Sequence, residues 1–129
     1  MEFTEERNND LRRAFRELAK TASKIIVPSI FKELVNMPSA RFWVSEERAA
    51  IVVARIELGK PLTRMRATKR EMFMEIYRRY KELRKNNPNA SLNSLVEIVV
   101  HQPAPKFYLA PGYAMKVFYN MRRCSKQPK

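Results

Sequence analysis

The sequence predicts a mainly α fold made of two similar three-helix units in tandem, helix-turn-helix-like, each with a short extended segment before its third helix. Three observations predict it. Apolar residues recur at helical spacing along much of the chain, β-branched strands of the length needed for parallel βαβ units are missing, and the chain aligns with itself at an offset of 65 residues. Without a gap, that offset lays Leu11 to Lys20 over Ile76 to Lys85 with four identities in ten, Arg13/Arg78, Glu17/Glu82, Leu18/Leu83 and Lys20/Lys85. Five more follow, at Ser29/Ser94, Pro38/Pro103, Phe42/Phe107, Ala49/Ala114 and Val52/Val117. Helical period alone produces part of the first match, because any two amphipathic helices align tolerably. It does not produce the second, in which a proline leads into a basic residue, Phe, an aromatic and an aliphatic residue.

Each element follows from local signals. Leu11, Ala14, Phe15, Leu18 and Ala22 place a helix over 10–22, and Met72 or Phe73, Ile76, Tyr80 and Leu83 place its counterpart in the second half. Thr68-Lys-Arg-Glu71 has the pattern of a capping box opening that counterpart, and Asn86-Asn-Pro-Asn89 ends it. Second helices are expected over Ser29 to Val35 and from Ser91 or Ser94 to Val100, each starting near a hydroxyl cap and ending before a proline. Arg41 to Val44 and Lys106 to Leu109 then read as extended, with Phe42 and Phe107 turned inward and Trp43 and Tyr108 outward. Third helices begin at Ser45, a good N-cap, and at Pro111, suited to a first helical turn. The loop of roughly nine residues before each third helix exceeds the 3–4 residues of a helix-turn-helix turn. The resulting organisation is a first repeat over 1–60, a basic linker over 61–67, a second repeat over 68–123 and a polar basic tail over 124–129.

Composition excludes several function classes. With 129 residues the chain has room for one domain or two small halves sharing a core, and its 45% apolar content is that of a folding chain. The apolar stretches near Ile25–Phe31 and Ala49–Ala54 fall far short of a bilayer span, so no membrane association is expected. The acidic start Met-Glu-Phe-Thr-Glu-Glu is unlike a secretory signal, and a single Cys124 suits a reducing compartment; a cytoplasmic or nucleoid-associated protein is expected. Two glycines, Gly59 and Gly112, leave no phosphate-cradling loop. One histidine and one cysteine cannot build a triad or a two-histidine metal site, so neither enzyme activity nor a metal or other cofactor is expected. His101 reads as a helix-end residue, and Glu46 and Glu47 as first-turn carboxylates favoured by the helix dipole. Met65, Met72 and Met74 read as gap-filling packing.

Charge carries the functional signal. The 26 Lys and Arg against 13 Asp and Glu give a net +13. Residues 1–65 hold 12 basic and 9 acidic side chains, a net +3, whereas 66–129 hold 14 and 4, a net +10. The excess gathers around Lys60, Arg64, Arg66, Lys69 and Arg70, around Arg78, Arg79, Lys81, Arg84 and Lys85, and at Arg122, Arg123, Lys126 and Lys129. Cations at such density neutralise phosphates irrespective of sequence. In the last helix Ala114, Val117, Phe118 and Met121 form an apolar stripe, while Lys116, Asn120 and Arg123 recur on another with Tyr113 and Tyr119 beside them. Lys, Asn and Arg both hold phosphates and read base edges.

The expected function is therefore a small, non-catalytic nucleic-acid-binding protein, on duplex DNA before RNA, acting through the C-terminal helix and the basic clusters of the second repeat. The expected contacts are Arg64, Arg66, Lys69, Arg70, Arg78, Arg79, Arg84, Lys85, Lys106, Tyr113, Lys116, Asn120, Arg122 and Arg123. Two alternatives stand beside it. One is an adaptor in a nucleoprotein assembly, with a protein partner or self-association through the first repeat; the other is an RNA or single-strand binder that stacks bases on the aromatic loops.

Overall fold

The structure, a computed structural model, describes residues 3–21 and 29–126, with side chains over 3–20 and 29–121. Six helices are present and no strand among the described residues: α1 (Thr4–Thr21), α2 (Ser29–Leu34), α3 (Glu46–Glu57), α4 (Ala67–Asn86), α5 (Leu92–Val100) and α6 (Pro111–Lys126). None of them is long and apolar enough to cross a membrane.

Local chemistry sets most boundaries. Ser45 and Ser91 sit in extended backbone before α3 and α5, and their hydroxyls accept from the amides of Arg48 and Ser94, satisfying donors that the first turn leaves free. Gly59 at φ +75 follows α3, a conformation that other residues adopt only with strain. Helix α1 begins at Thr4, earlier than its apolar spacing alone indicates, and α6 continues to Lys126 through part of the expected tail. One expected cap is corrected. Helix α4 starts at Ala67 with Arg66 as its N-cap, so Thr68 already lies inside the first turn and the Thr68–Glu71 capping box does not form.

The helices gather into two compact units, which cut the chain differently from its two halves. The first consists of Phe3–Ser39 together with the segment from Pro105 onward, and so combines α1 and α2 with α6. The second is the continuous stretch Ala40–Ala104, in which α3 packs with α4 and α5. The third helix of each half thus lies against the first two helices of the other half.

Equivalent side chains fill the two cores. In the first unit Leu11, Ile30, Phe31, Leu34, Val35, Phe107 and Ala114 are buried; in the second, Ile76, Leu95, Val96, Val99, Val100, Phe42 and Ala49, each displaced by 65 residues from its counterpart. The backbone repeats the relationship. In the first unit the Phe107 amide donates to the Val35 carbonyl at 3.0 Å, and in the second the Phe42 amide donates to Val100 at 3.1 Å. Burying these aliphatic and aromatic groups supplies the main drive for each unit to close.

The two loops entering the third helices are irregular and differ in one respect. Phe42 and Phe107 are buried as expected, but Tyr108 is buried too, at 8% exposure, rather than outward. Its φ of +58 takes it out of the extended region, and with it goes the alternation of sides that an extended segment imposes. Trp43 is half-buried, with the Arg41 guanidinium 5.6 Å from its ring; Lys106 lies 5.5 Å from the Tyr108 ring, the same pairing 65 residues on.

Candidate nucleic-acid interface

The structure sorts the basic residues by whether another group of the protein already holds them. In the second unit three of the expected contacts are tied down. Arg84 donates to the Tyr80 hydroxyl at 2.7 Å and to the carbonyls of Ala90 and Pro88 at 2.8 and 3.4 Å, fastening the end of α4 to the turn that follows. Arg79 donates to Glu75 at 2.8 Å, to the Pro103 carbonyl at 2.9 Å and to the Gln102 side chain at 3.2 Å, with its guanidinium 4.9 Å from the Phe42 ring. Arg78 closes on the other side of Glu75 at 2.8 Å. Hydrogen bonds from Arg78 and then Arg79 hold the Glu75 carboxyl down to about 2, against the upward push of its burial. Lys85 stands 3.7 Å from Glu82 in an exposed pair that contributes little to stability.

The cations leading into α4 are mostly free to meet a partner. Lys60, Arg64, Arg66, Lys69 and Arg70 are all exposed and lie within eleven residues that contain no acid. Arg70 reaches back to the Met65 carbonyl at 2.8 Å; the side chains of the other four make no hydrogen bond or ion pair among the described residues. They surround the N-terminal end of the 20-residue α4, whose first turn has no acidic residue and whose N-cap has no side-chain bond. Unpaired amides and the positive end of the helix dipole point there. An anion would meet side-chain charge and backbone donors together.

The first unit holds the other expected contacts. Lys116 and Asn120, one turn apart on α6, are exposed and make no side-chain bond among the described residues. Opposite them Ala114 is buried and Phe118 packs against Phe15 and Phe31, with centroids at 4.4 and 5.8 Å, so α6 divides into a core face and a free face. Tyr113 is partly engaged: the nearly buried Arg7 guanidinium lies 5.5 Å from its ring and 3.5 Å from its hydroxyl. Lys106 is committed to its own loop beside Tyr108. Arg122 and Arg123 lie on the helical backbone of α6, and their side chains fall outside the described residues; Cys124, Lys126 and Lys129 do so as well.

Sequence reasoning missed a set of cations on α1. Arg12, Arg16 and Lys20 follow at i, i+4 and i+8 on one stripe, without a side-chain partner among the described residues, in the same unit as α6. Their spacing was visible, but the pairing of α1 with a helix about a hundred residues away was not. Counted by unit, charge is spread more evenly than by halves: 13 basic and 5 acidic residues in the first, a net +8, and 13 and 8 in the second, a net +5.

The aromatic loops offer little to an unpaired base. Phe42, Phe107 and Tyr108 are buried, and Arg41, which donates to the carbonyls of Phe42 and Val44 at 3.0 and 2.9 Å, clamps its loop. His101 caps α5 and its Nε2 donates to Glu46 at 2.6 Å, while its Nδ1 faces Arg41 at 3.5 Å. A guanidinium can only donate and a carboxylate only accept, so the neutral ring protonated at Nε2 fits this clasp. Comparison with protein-family models, curated proteins and solved structures finds no match for this chain.

Proposed function

We propose that the protein is a non-catalytic nucleic-acid-binding module, built by tandem duplication of a three-helix, helix-turn-helix-like unit, that grips the phosphates of duplex DNA. The observation that carries the reading is the cluster Lys60, Arg64, Arg66 and Lys69, exposed and unpartnered around the positive end of α4. A protein has no structural need to hold four cations there, whereas a phosphate backbone rewards it through counterion release. The free face of α6, with Lys116 and Asn120, supplies side chains able to reach base edges. Duplication is supported by the 65-residue spacing of both buried side chains and loop hydrogen bonds.

The test is a salt titration of binding to matched duplex DNA, single-stranded DNA and RNA. Duplex affinity is expected to be highest and to fall linearly on a logarithmic salt scale. Neutralising Arg64, Arg66 and Lys69 to Gln should lower that slope by about one for each phosphate that no longer meets a cation. Absence of binding at low salt, or an unchanged slope in the triple variant, refutes the reading.

One observation favours an adaptor role as a second reading. Ile51 and Leu58, seven residues apart along α3 and the residue that caps it, are 55% and 72% exposed, apolar surface suited to a protein partner. That role predicts nucleic-acid binding without any preference among duplex sequences.

A further inference from the structure

Connectivity gives the first unit a property the second does not have. The second unit is one uninterrupted segment, Ala40–Ala104, whereas the first is assembled from two pieces that the whole second unit separates in sequence. The pieces are joined to the second unit only at Ser39/Ala40 and Ala104/Pro105. Everything that holds α6 in place is therefore contact with α1 and α2, not direct chain continuity with them.

Those contacts do not identify which chain supplies the helix. Third helices already exchange within the molecule: α3 follows α2 in sequence yet packs with α4 and α5, and α6 follows α5 yet packs with α1 and α2. The same chemistry docks both, with Ala49 and Ala114 fully buried at equivalent positions and equivalent loop amides, Phe42 and Phe107, bonded to Val100 and Val35. The crossing point before α6 lies between Pro103 and Pro105, whose rings restrict the backbone and resist a sharp reversal. Short, stiff connections of this kind are where elements pass to a neighbouring copy, because exchange preserves every contact and alters only the hinge.

We infer that the partner of this surface is a second copy of the chain: two molecules exchange α6, the α1–α2 pair of each receiving the last helix of the other. In the single chain α6 has the advantage of being tethered, which amounts to an effective concentration on the order of millimolar. Exchange therefore becomes competitive when the protein folds at comparable concentration, and the product persists on dilution because release of α6 opens the first unit.

The aromatic contact between α1 and α6 allows a direct test. Two full-length variants, Phe15→Cys and Phe118→Cys, each also carrying Cys124→Ser, are mixed, unfolded, refolded together at high concentration and oxidised. Rings 4.4 Å apart become thiols on neighbouring positions, so exchange yields covalent dimers containing one chain of each kind. Monomers alone, or like-with-like dimers as abundant as mixed ones, overturn the inference. The unmodified chain, refolded at millimolar concentration and sized by light scattering, is expected to give a dimer of twice the chain mass that survives dilution. A monomer at every concentration overturns the inference even if the variants fold poorly.

Discussion

The backbone amide of Phe42 donates to the carbonyl of Val100 at 3.1 Å, anchoring the loop before α3 to the end of α5. The phenyl ring beside that amide is fully buried, and its counterpart Phe107, bonded to Val35, is 4% exposed. Each ring fixes the entry of a third helix into a unit to which its own preceding helices do not belong. Phe42→Ala and Phe107→Ala are each expected to destabilise the protein by about 3–5 kcal/mol, the usual result of emptying a buried phenyl site. Urea unfolding measures both. A large effect for one and almost none for the other would show that the two loops are not equivalent anchors.

Glu75 sets the acid sensitivity of the second unit. Its folded value of about 2 lies below the ordinary 4.5, so ionised Glu75 stabilises the folded state at neutral pH. That contribution is complete above about 4.5 and is lost as the pH falls toward 2. Its size is at most about 3 kcal/mol, since the shift of roughly two units and the partial exposure of Arg78 both limit it. Thermal unfolding of Glu75→Gln and the unmodified protein should therefore differ most at pH 6–7 and converge near pH 2. A constant difference across that range would contradict the role.

Arg84 and Arg66 are both basic residues of the second half, and the structure assigns them opposite behaviour. Removing Arg84 leaves the Tyr80 hydroxyl, on a side chain only 2% exposed, without its donor, and frees two loop carbonyls. Arg84→Met should cost about 1–3 kcal/mol of stability. Arg66→Gln should change stability by no more than about 0.5 kcal/mol and weaken polyanion binding instead. Melting curves run beside binding isotherms separate the two; a stable Arg84 variant with reduced binding would reverse the assignment.

Legibility followed the range of the physics. Ser45, Ser91 and Pro111 act within one turn of themselves, and the helices they open were readable to within a residue or so. Thr68 failed as a cap because a competing start one residue earlier, after extended Arg66, took the first turn. Apolar spacing identified Leu11, Ile76, Val99 and Ala114 as core positions, yet it could not say that α6 fills the same core as α1, since both third helices present the same apolar stripe to either pair. The basic clusters were visible as charge. Which cations were already engaged was not, because Arg79 and Arg84 are held by a carbonyl of Pro103 and a hydroxyl of Tyr80 that no charge count registers.

Asn120 distinguishes reading a sequence from merely holding phosphates. It is exposed on α6 one turn beyond Lys116, opposite the face that Ala114 commits to the core, and it is uncharged. Asn120→Ala therefore removes hydrogen bonds without changing the long-range field, whereas Lys116→Ala removes both. If α6 enters a groove, Asn120→Ala should reduce discrimination between a preferred and a scrambled duplex by about 1–3 kcal/mol and leave the salt slope unchanged. Lys116→Ala should lower that slope by about one. Competition binding at several salt concentrations measures both quantities together. If Asn120→Ala leaves every affinity intact while Lys116→Ala still lowers the slope, α6 lies along the phosphates and the bases go unread.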